Sequence, residues 1–238
     1  GAQQLDQHHP GRIAFEALGG AGPMWIRCNI PMARGLGFSG AARVGAAALA
    51  VVQQERSIAA SVDEILELTS DLEGHGDNVA ASLFGGVTAF VGGRAIRVPV
   101  GPTFAAAAFV AWVPDVATST DASRKALGAT IDLAAAVHNI GRAVQFATAI
   151  ATDDPGMLDG AAADRIHQVG RLPEVTGAVE AMDAGMAAGA WATWLSGSGP
   201  TIGFMCDSAV AESIAAAMPD GGHTKVLAID TQGCRLTH

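Results

Sequence analysis

The chain contains no tyrosine, and only Lys125 and Lys225 among its 14 basic residues are lysine. Against 23 acids this leaves a net charge of −9. Such a surface repels phosphodiester backbones, so no nucleic-acid partner is expected; one small anion in a locally positive pocket remains compatible with it. Cysteine is scarce: Cys28, Cys206 and Cys234. An odd number at long spacing, with no C-x-x-C, makes neither a disulfide framework nor a zinc site, and a reducing cytoplasm is the expected compartment. Long apolar runs are missing as well. The most apolar stretch, 104–113, lies between Pro102 and Pro114 and has about half of the roughly 20 residues a membrane helix needs. No membrane partner is expected, and the polar opening GAQQLDQHHPGR does not read as a signal peptide.

What is present is 238 residues, 50% of them apolar and rich in Ala, with 30 Gly and 10 Pro set between apolar runs without a period. That is globular composition, enough for one large core or two modest ones. Residues 13–19 read as a short helix ended by Gly19-Gly20, and 24–30 as a strand stopped by Pro31. A glycine-rich loop, PMARGLGFSG, leads into a strong helix over 40–54 with Ser39 as its expected N-cap. A second helix is expected over 61–72, with Asp63 and Glu64 in the first turn, where the helix dipole favours acids. VTAFVGG and AIRVPV suggest a hairpin.

Beyond Pro102 the spacing predicts a buried strand over 105–113, helices at about 120–152 and 158–169, then alternating elements. These are helix 175–188, strand 190–195, strand 201–206, helix 209–218 and strand 224–229. Helices alternating with paired strands argue for an α+β fold with helices on one face of an antiparallel sheet. A domain boundary is expected near residue 100, giving domains 1–100 and 101–238.

Four segments have residue types suited to chemistry. In Arg34-Gly35-Leu36-Gly37-Phe38-Ser39-Gly40, glycines let the backbone approach a ligand, and the helix start offers unpaired N–H groups to a phosphate. It is not a P-loop, because neither lysine follows a glycine. Gly35, Gly37 and Gly40 satisfy the bare dinucleotide pattern. The next element is a second helix, however, where that fold needs a strand carrying a ribose-binding acid. An ordinary strand–helix turn remains the plain alternative. In Glu73-Gly74-His75-Gly76-Asp77-Asn78, oxygen donors on a loosened loop suit a hard cation such as Mg²⁺. The plain alternative is a polar turn with Asp77 capping the next helix. Leu195-Ser196-Gly197-Ser198-Gly199-Pro200 is either a loop another group can approach or a hairpin connection. Arg124 and Arg171 could read a carboxylate as planar forks, or stand as surface charges.

Taken in order, IPMARGLGFSGAA, EGHGDNVAASLFGG and LSGSGPTIGFMCD, with STDASR, HNIGR and HQVGR, carry a resemblance. The sequence resembles the GHMP kinases and, within them, the homoserine kinases, from about residue 13 to the end. The resemblance implies transfer of the ATP γ-phosphoryl group to the hydroxyl of L-homoserine, a step towards threonine. It implies a GHMP kinase fold: an S5-like N-terminal α/β domain and a ferredoxin-like C-terminal domain, with the site between them. Arg34, Gly35, Leu36, Gly37, Ser39 and Gly40 would bind the triphosphate; Ser39 and Glu73 would hold Mg²⁺. Asn78 would lie beside the attacking hydroxyl. Arg124 and Arg171 would clamp the substrate carboxylate, and Gly197, Ser198 and Gly199 would close on the substrate side. A homodimer is its suggestion for assembly.

The chain departs from the family pattern in four places. Phe38 replaces a serine, Gly40 an alanine and Gly76 a proline. The family's opening P-x-S-x-N-L-G-x-G-F-D segment has no counterpart, so the N-terminal domain is expected without its first strands. Another hydroxylated acceptor, or a relative with a decayed nucleotide site, are the competing expectations.

Overall fold

The computed structural model describes residues 2–115 and 130–237, which form two units. The first comprises Gly1–Met32, Gly37–Val98 and Asp230–His238; the second comprises Ala33–Leu36 and Pro99–Ile229.

Helices build most of the first unit: α1 (Pro10–Ala17), α2 (Phe38–Gln53), α3 (Val62–Glu73) and α4 (Asp77–Phe84). Alanine sets how closely α2 packs. Ala42, Ala46, Ala47, Ala48 and Ala50 are all buried, with Val44 and Val51 filling the space between them. Small side chains let neighbouring backbones approach. Ala14 of α1, Ile65 and Leu66 of α3, and Val79, Ala80 and Leu83 of α4 close the same core. Two antiparallel pairs flank the helices. Strands β1 (Gln3–Gln4) and β2 (Trp25–Ile26) pair over two residues each. Strands β3 (Val87–Val91) and β4 (Arg94–Val98) form the hairpin that the sequence predicts. Its turn, Gly92-Gly93, has φ of 56° and 78°, the conformation a two-residue hairpin turn requires and glycine adopts without strain.

The second unit is a four-stranded antiparallel sheet in the order β6-β7-β5-β8, with β5 Ala108–Pro114, β6 Ala192–Leu195, β7 Ile202–Cys206 and β8 Gly222–Ala228. Helix α5 is the single turn Pro102–Ala105 before β5. Between β5 and β6 run α6 (Leu133–Thr152), the single turn α7 (Gln168–Arg171) and α8 (Ala178–Ala187). Helix α9 (Ala211–Ala216) links β7 to β8. This β-α-β-β-α-β order is the ferredoxin-like arrangement. Strand β7 is buried throughout its length. Val110, Trp112, Ile202, Phe204 and Ile214 form the core with Ala178 and Ala181. The Trp112 indole N–H donates to the Pro219 carbonyl at 3.2 Å, which satisfies its one polar atom.

Several expectations need correcting. The strand expected over 24–30 is only Trp25–Ile26. Of the helix expected over 158–169, residues 159–167 are not helical: the Asp164 carboxylate takes the N–H groups of Ile166, His167 and Gln168, offering the backbone an alternative to a helical ladder. Ser39 is not the N-cap of α2. Gly37, in the left-handed region at φ 71°, starts the helix earlier, and the Ser39 hydroxyl points elsewhere. The main passage between the units falls at Val98–Pro99, near residue 100, but two short segments are assigned across it. The last residues return to the first unit, where Gly86 N–H donates to Asp230 O at 2.6 Å and Cys234 N–H to Leu83 O at 3.1 Å. Ala33–Leu36 belongs to the second unit, where the Gly35 carbonyl accepts the Ser196 hydroxyl.

Candidate active site

Three helix ends meet in the first unit. At the start of α2 the first-turn amides have no intrahelical acceptor, and the dipole places partial positive charge there. Gly74, left-handed at φ 79°, ends α3 directly after Glu73. Helix α4 begins at Asp77, whose Oδ1 accepts the Asn78 N–H at 2.8 Å and lies 2.6 Å from His75 Nδ1.

These ends bring Ser39, Glu73 and Asn78 together. The Ser39 hydroxyl donates to Glu73 Oε2 at 2.6 Å. Asn78 lies against the glycines of α2: a Cβ on Gly37 would sit 3.6 Å from its Oδ1, and one on Gly40 only 3.2 Å from its Cβ. A residue the sequence analysis missed completes the group. Arg43, one turn after Ser39, donates from Nε to the same Glu73 Oε2 at 2.7 Å. The two charged side chains are 14% and 11% exposed. The i,i+4 spacing of Ser39 and Arg43 was visible as one helix face, but their shared partner lies 34 and 30 residues further on. The Phe38 ring packs edge-on against His9, centroids 5.7 Å apart.

Ser39 and Glu73 are oxygen donors and fit a hard divalent cation. A hydroxyl that donates its proton keeps its lone pairs, and Glu73 has a second oxygen. Among the described residues no group of three or more His, Cys, Asp or Glu could hold a metal. This pair would therefore leave most of a cation's coordination to phosphate and water.

In the second unit, Gly35 meets the loop after β6. The Ser196 hydroxyl donates to Gly35 O at 2.8 Å, and a Cβ on Gly35 would lie 2.1 Å from Ser196 O. Gly197 and Gly199 have φ of 55° and 81°; Ser196 N–H donates to Thr201 O and Gly199 N–H to Ser196 O, which close the loop. Leu36 lies in the same short segment of this unit. Arg34 donates to Asp115 O at 3.2 Å. Arg171 is buried, its Nη1 3.4 Å from His167 Nδ1. Arg124 lies outside the described residues.

Arg171 follows a turn that Asp164 organises. Its Oδ1 accepts three backbone N–H groups, and the Asn139 amide donates to Oδ2. Burial pushes the Asp164 carboxyl up, but the N–H bonds of Gln168 and His167, the His167 charge and the Asn139 amide together hold it below its ordinary range. Gln168, also buried, accepts the Leu195 N–H at 2.6 Å and donates to Ala162 O, tying this turn to the end of β6. Sequence reasoning passed over Asp164 and Gln168 although HQVGR was singled out. An aspartate a few residues before an arginine has no distinctive spacing. Asp164→Ala should cost about 2 kcal/mol of stability through the lost N–H acceptor. The loss should appear as a lower midpoint in urea unfolding. An unchanged midpoint would show that the turn before Arg171 holds without Asp164.

Two histidines near these groups have lowered pKa values. For His9 the main cause is burial, with Asp6 opposing it and Arg43 adding to it; for His167 it is burial, with Asp164 opposing and Arg171 adding. Neutral His9 also accepts the Gly11 N–H at Nδ1, capping α1. The unfolded chain protonates these groups near 6.5 and the folded chain only at lower pH. Between those values the unfolded state holds more protons, so stability declines as pH falls below about 6.5. Urea midpoints at pH 7.5 and 5.5 should differ accordingly. His9→Asn keeps a capping acceptor without titrating and should flatten the difference; an equal drop in parent and variant would remove His9 from the account.

The chain matches the family described as GHMP kinases N terminal domain over residues 6–86, and GHMP kinases C terminal over 147–224. It belongs to the GHMP kinases. It is 35% identical over 236 residues to a homoserine kinase of Desulfitobacterium hafniense, covering 93% of this chain and 78% of that protein. It is 33% identical over 228 residues to a homoserine kinase of Gloeobacter violaceus, covering 93% and 76%. The fold is similar to the crystal structure of homoserine kinase from Cytophaga hutchinsonii, with a TM-score of 0.83 at 24% identity over 95% of this chain and 78% of that one. Within the GHMP kinases it belongs to the homoserine kinases.

Proposed function

We infer that the chain transfers the γ-phosphoryl group of ATP to the side-chain hydroxyl of L-homoserine, giving O-phospho-L-homoserine and ADP, a step towards threonine. The observation that carries this reading is the meeting of Ser39, Glu73 and Asn78 at the start of α2, in a chain of this family. The acceptor oxygen forms the new bond to phosphorus, the bridging oxygen leaves with ADP, and the hydroxyl proton passes to a phosphate oxygen or water. Asn78 can orient that hydroxyl, but its amide is no base. Alignment and charge neutralisation therefore have to carry the rate, as phosphoryl transfer allows.

The α2 amides with Gly37 and Gly40, and Arg34, Gly35 and Leu36, are assigned to the triphosphate. Ser39 and Glu73 would hold Mg²⁺, whose charge offsets that of the phosphate oxygens when bound. Arg171 and Arg124 are assigned to the homoserine carboxylate, and Gly197, Ser198 and Gly199 to the substrate side. A homodimer and a cytoplasmic location belong to the same proposal. Among the described residues no helix is long and apolar enough to cross a membrane.

The test is ADP release with Mg²⁺, ATP and a panel of amino-alcohol acceptors. L-homoserine should give the highest kcat/KM. A better acceptor would reassign the substrate, and no acceptor-dependent ADP release would reject the reading.

A further inference from the structure

The Arg43–Glu73 pair sits where the metal reading needs an available carboxylate. One oxygen, Glu73 Oε2, already takes the Ser39 hydroxyl at 2.6 Å and Arg43 Nε at 2.7 Å. Both charged side chains are nearly shielded from water, so each is costly to leave uncompensated. Arg43 reaches Glu73 from α2, the helix whose first turn carries Ser39. The guanidinium therefore holds the carboxylate against Ser39 and supplies the positive charge a divalent ion would otherwise bring.

We propose that Arg43 is a built-in cation of the metal site: it positions the Glu73 carboxylate beside Ser39 and competes with a divalent ion for it. The inference rests on the assignment of Ser39 and Glu73 to Mg²⁺. Two cations drawing on one carboxylate are coupled unfavourably, and coupling of this kind commonly amounts to roughly 5–150-fold in affinity. The nucleotide-free protein then binds a divalent ion weakly. The phosphates of ATP bring the extra negative charge that lets both cations be held together.

Mn²⁺ serves as the probe, its binding read by electron paramagnetic resonance on the full chain with and without a non-hydrolysable ATP analogue. Arg43→Met should tighten Mn²⁺ binding to the nucleotide-free protein roughly tenfold, and added Mn²⁺ should raise its melting temperature more than the parent's. Arg43→Gln, which retains a hydrogen-bond donor without charge, should behave similarly and serves if the methionine variant does not fold. Adding Glu73→Gln to either variant should abolish the gain.

Unchanged Mn²⁺ affinity in both Arg43 variants, with Glu73-dependent binding of Mn²⁺ and nucleotide in the parent, overturns the role of Arg43 alone. Binding of Mn²⁺ and nucleotide that ignores Glu73→Gln overturns the metal assignment, and this proposal with it.

Discussion

Glu73→Gln is expected to lower kcat/KM for ATP by roughly 10²–10³-fold, the scale seen when one preorganised charge-stabilising group is removed from a transfer site. The substitution isolates charge from shape. Glutamine can still accept the Ser39 hydroxyl and the Arg43 N–H, so the meeting of α2 and α3 is preserved. The negative charge is lost, and the 14%-exposed Arg43 keeps its own without compensation. Breaking a fully buried pair costs about 3–5 kcal/mol, and this slightly open one should lose about 2 kcal/mol of stability. Ser39→Ala removes one oxygen but leaves the ion pair, so it should lower activity with little change in melting. Steady-state kinetics across a magnesium titration, with urea unfolding alongside, separates the two effects. If Glu73→Gln turns over within about fivefold of the parent, Glu73 is a structural anchor for Arg43 and the metal assignment fails.

Among the described glycines, Gly35→Ala should be the most damaging to activity. Gly35 has φ of 73°, where a side chain is strained by about 1–2 kcal/mol. The larger effect is steric. The new Cβ would stand 2.1 Å from the Ser196 carbonyl oxygen and 2.9 Å from that of Gly199. Both contacts are backbone, so no rotamer change relieves them, and Ala33–Leu36 has to separate from the 196–199 loop. The Ser196–Gly35 hydrogen bond is lost with that separation. A shift of about 1 Å in a positioning loop can cost roughly 10²-fold, and that is the expected loss in kcat/KM. The melting temperature should move only modestly, because the segment is peripheral to the second unit's core. Gly45→Ala is the control, since a Cβ there meets nothing within 4 Å and should be neutral or slightly stabilising. Equal activities for Gly35→Ala and Gly45→Ala would show that the Gly35 contact does not shape the site.

Much of this molecule can be read from local pattern. Gly92-Gly93 between two alternating runs makes a hairpin, and an Ala-rich run after a glycine loop makes a helix that other helices can approach closely. Order and spacing of the three glycine-bearing motifs were enough to suggest the family, because each is a short continuous stretch that can be read without its distant partners. What was illegible depended on which hydrogen-bond partner each side chain takes. Ser39 has the chemistry of an N-cap, yet the left-handed Gly37 starts the helix ahead of it, and its hydroxyl serves Glu73. Residues 158–169 have helical composition, but one carboxylate at Asp164 takes three N–H groups and reshapes the segment.

Sequence alone settled the element types of the second unit's sheet and the glycine loop ahead of α2, since these follow from neighbouring residues and their period; the family was suggested by resemblance of three motifs. The packing of α2 on α3 alone decided that Arg43 shares Glu73 with Ser39, and the return of the last residues to Leu83 and Gly86 placed them in the first unit. A charge's partner is chosen by three-dimensional proximity and by the cost of leaving it unpaired away from water, and neither is encoded in any local stretch of chain.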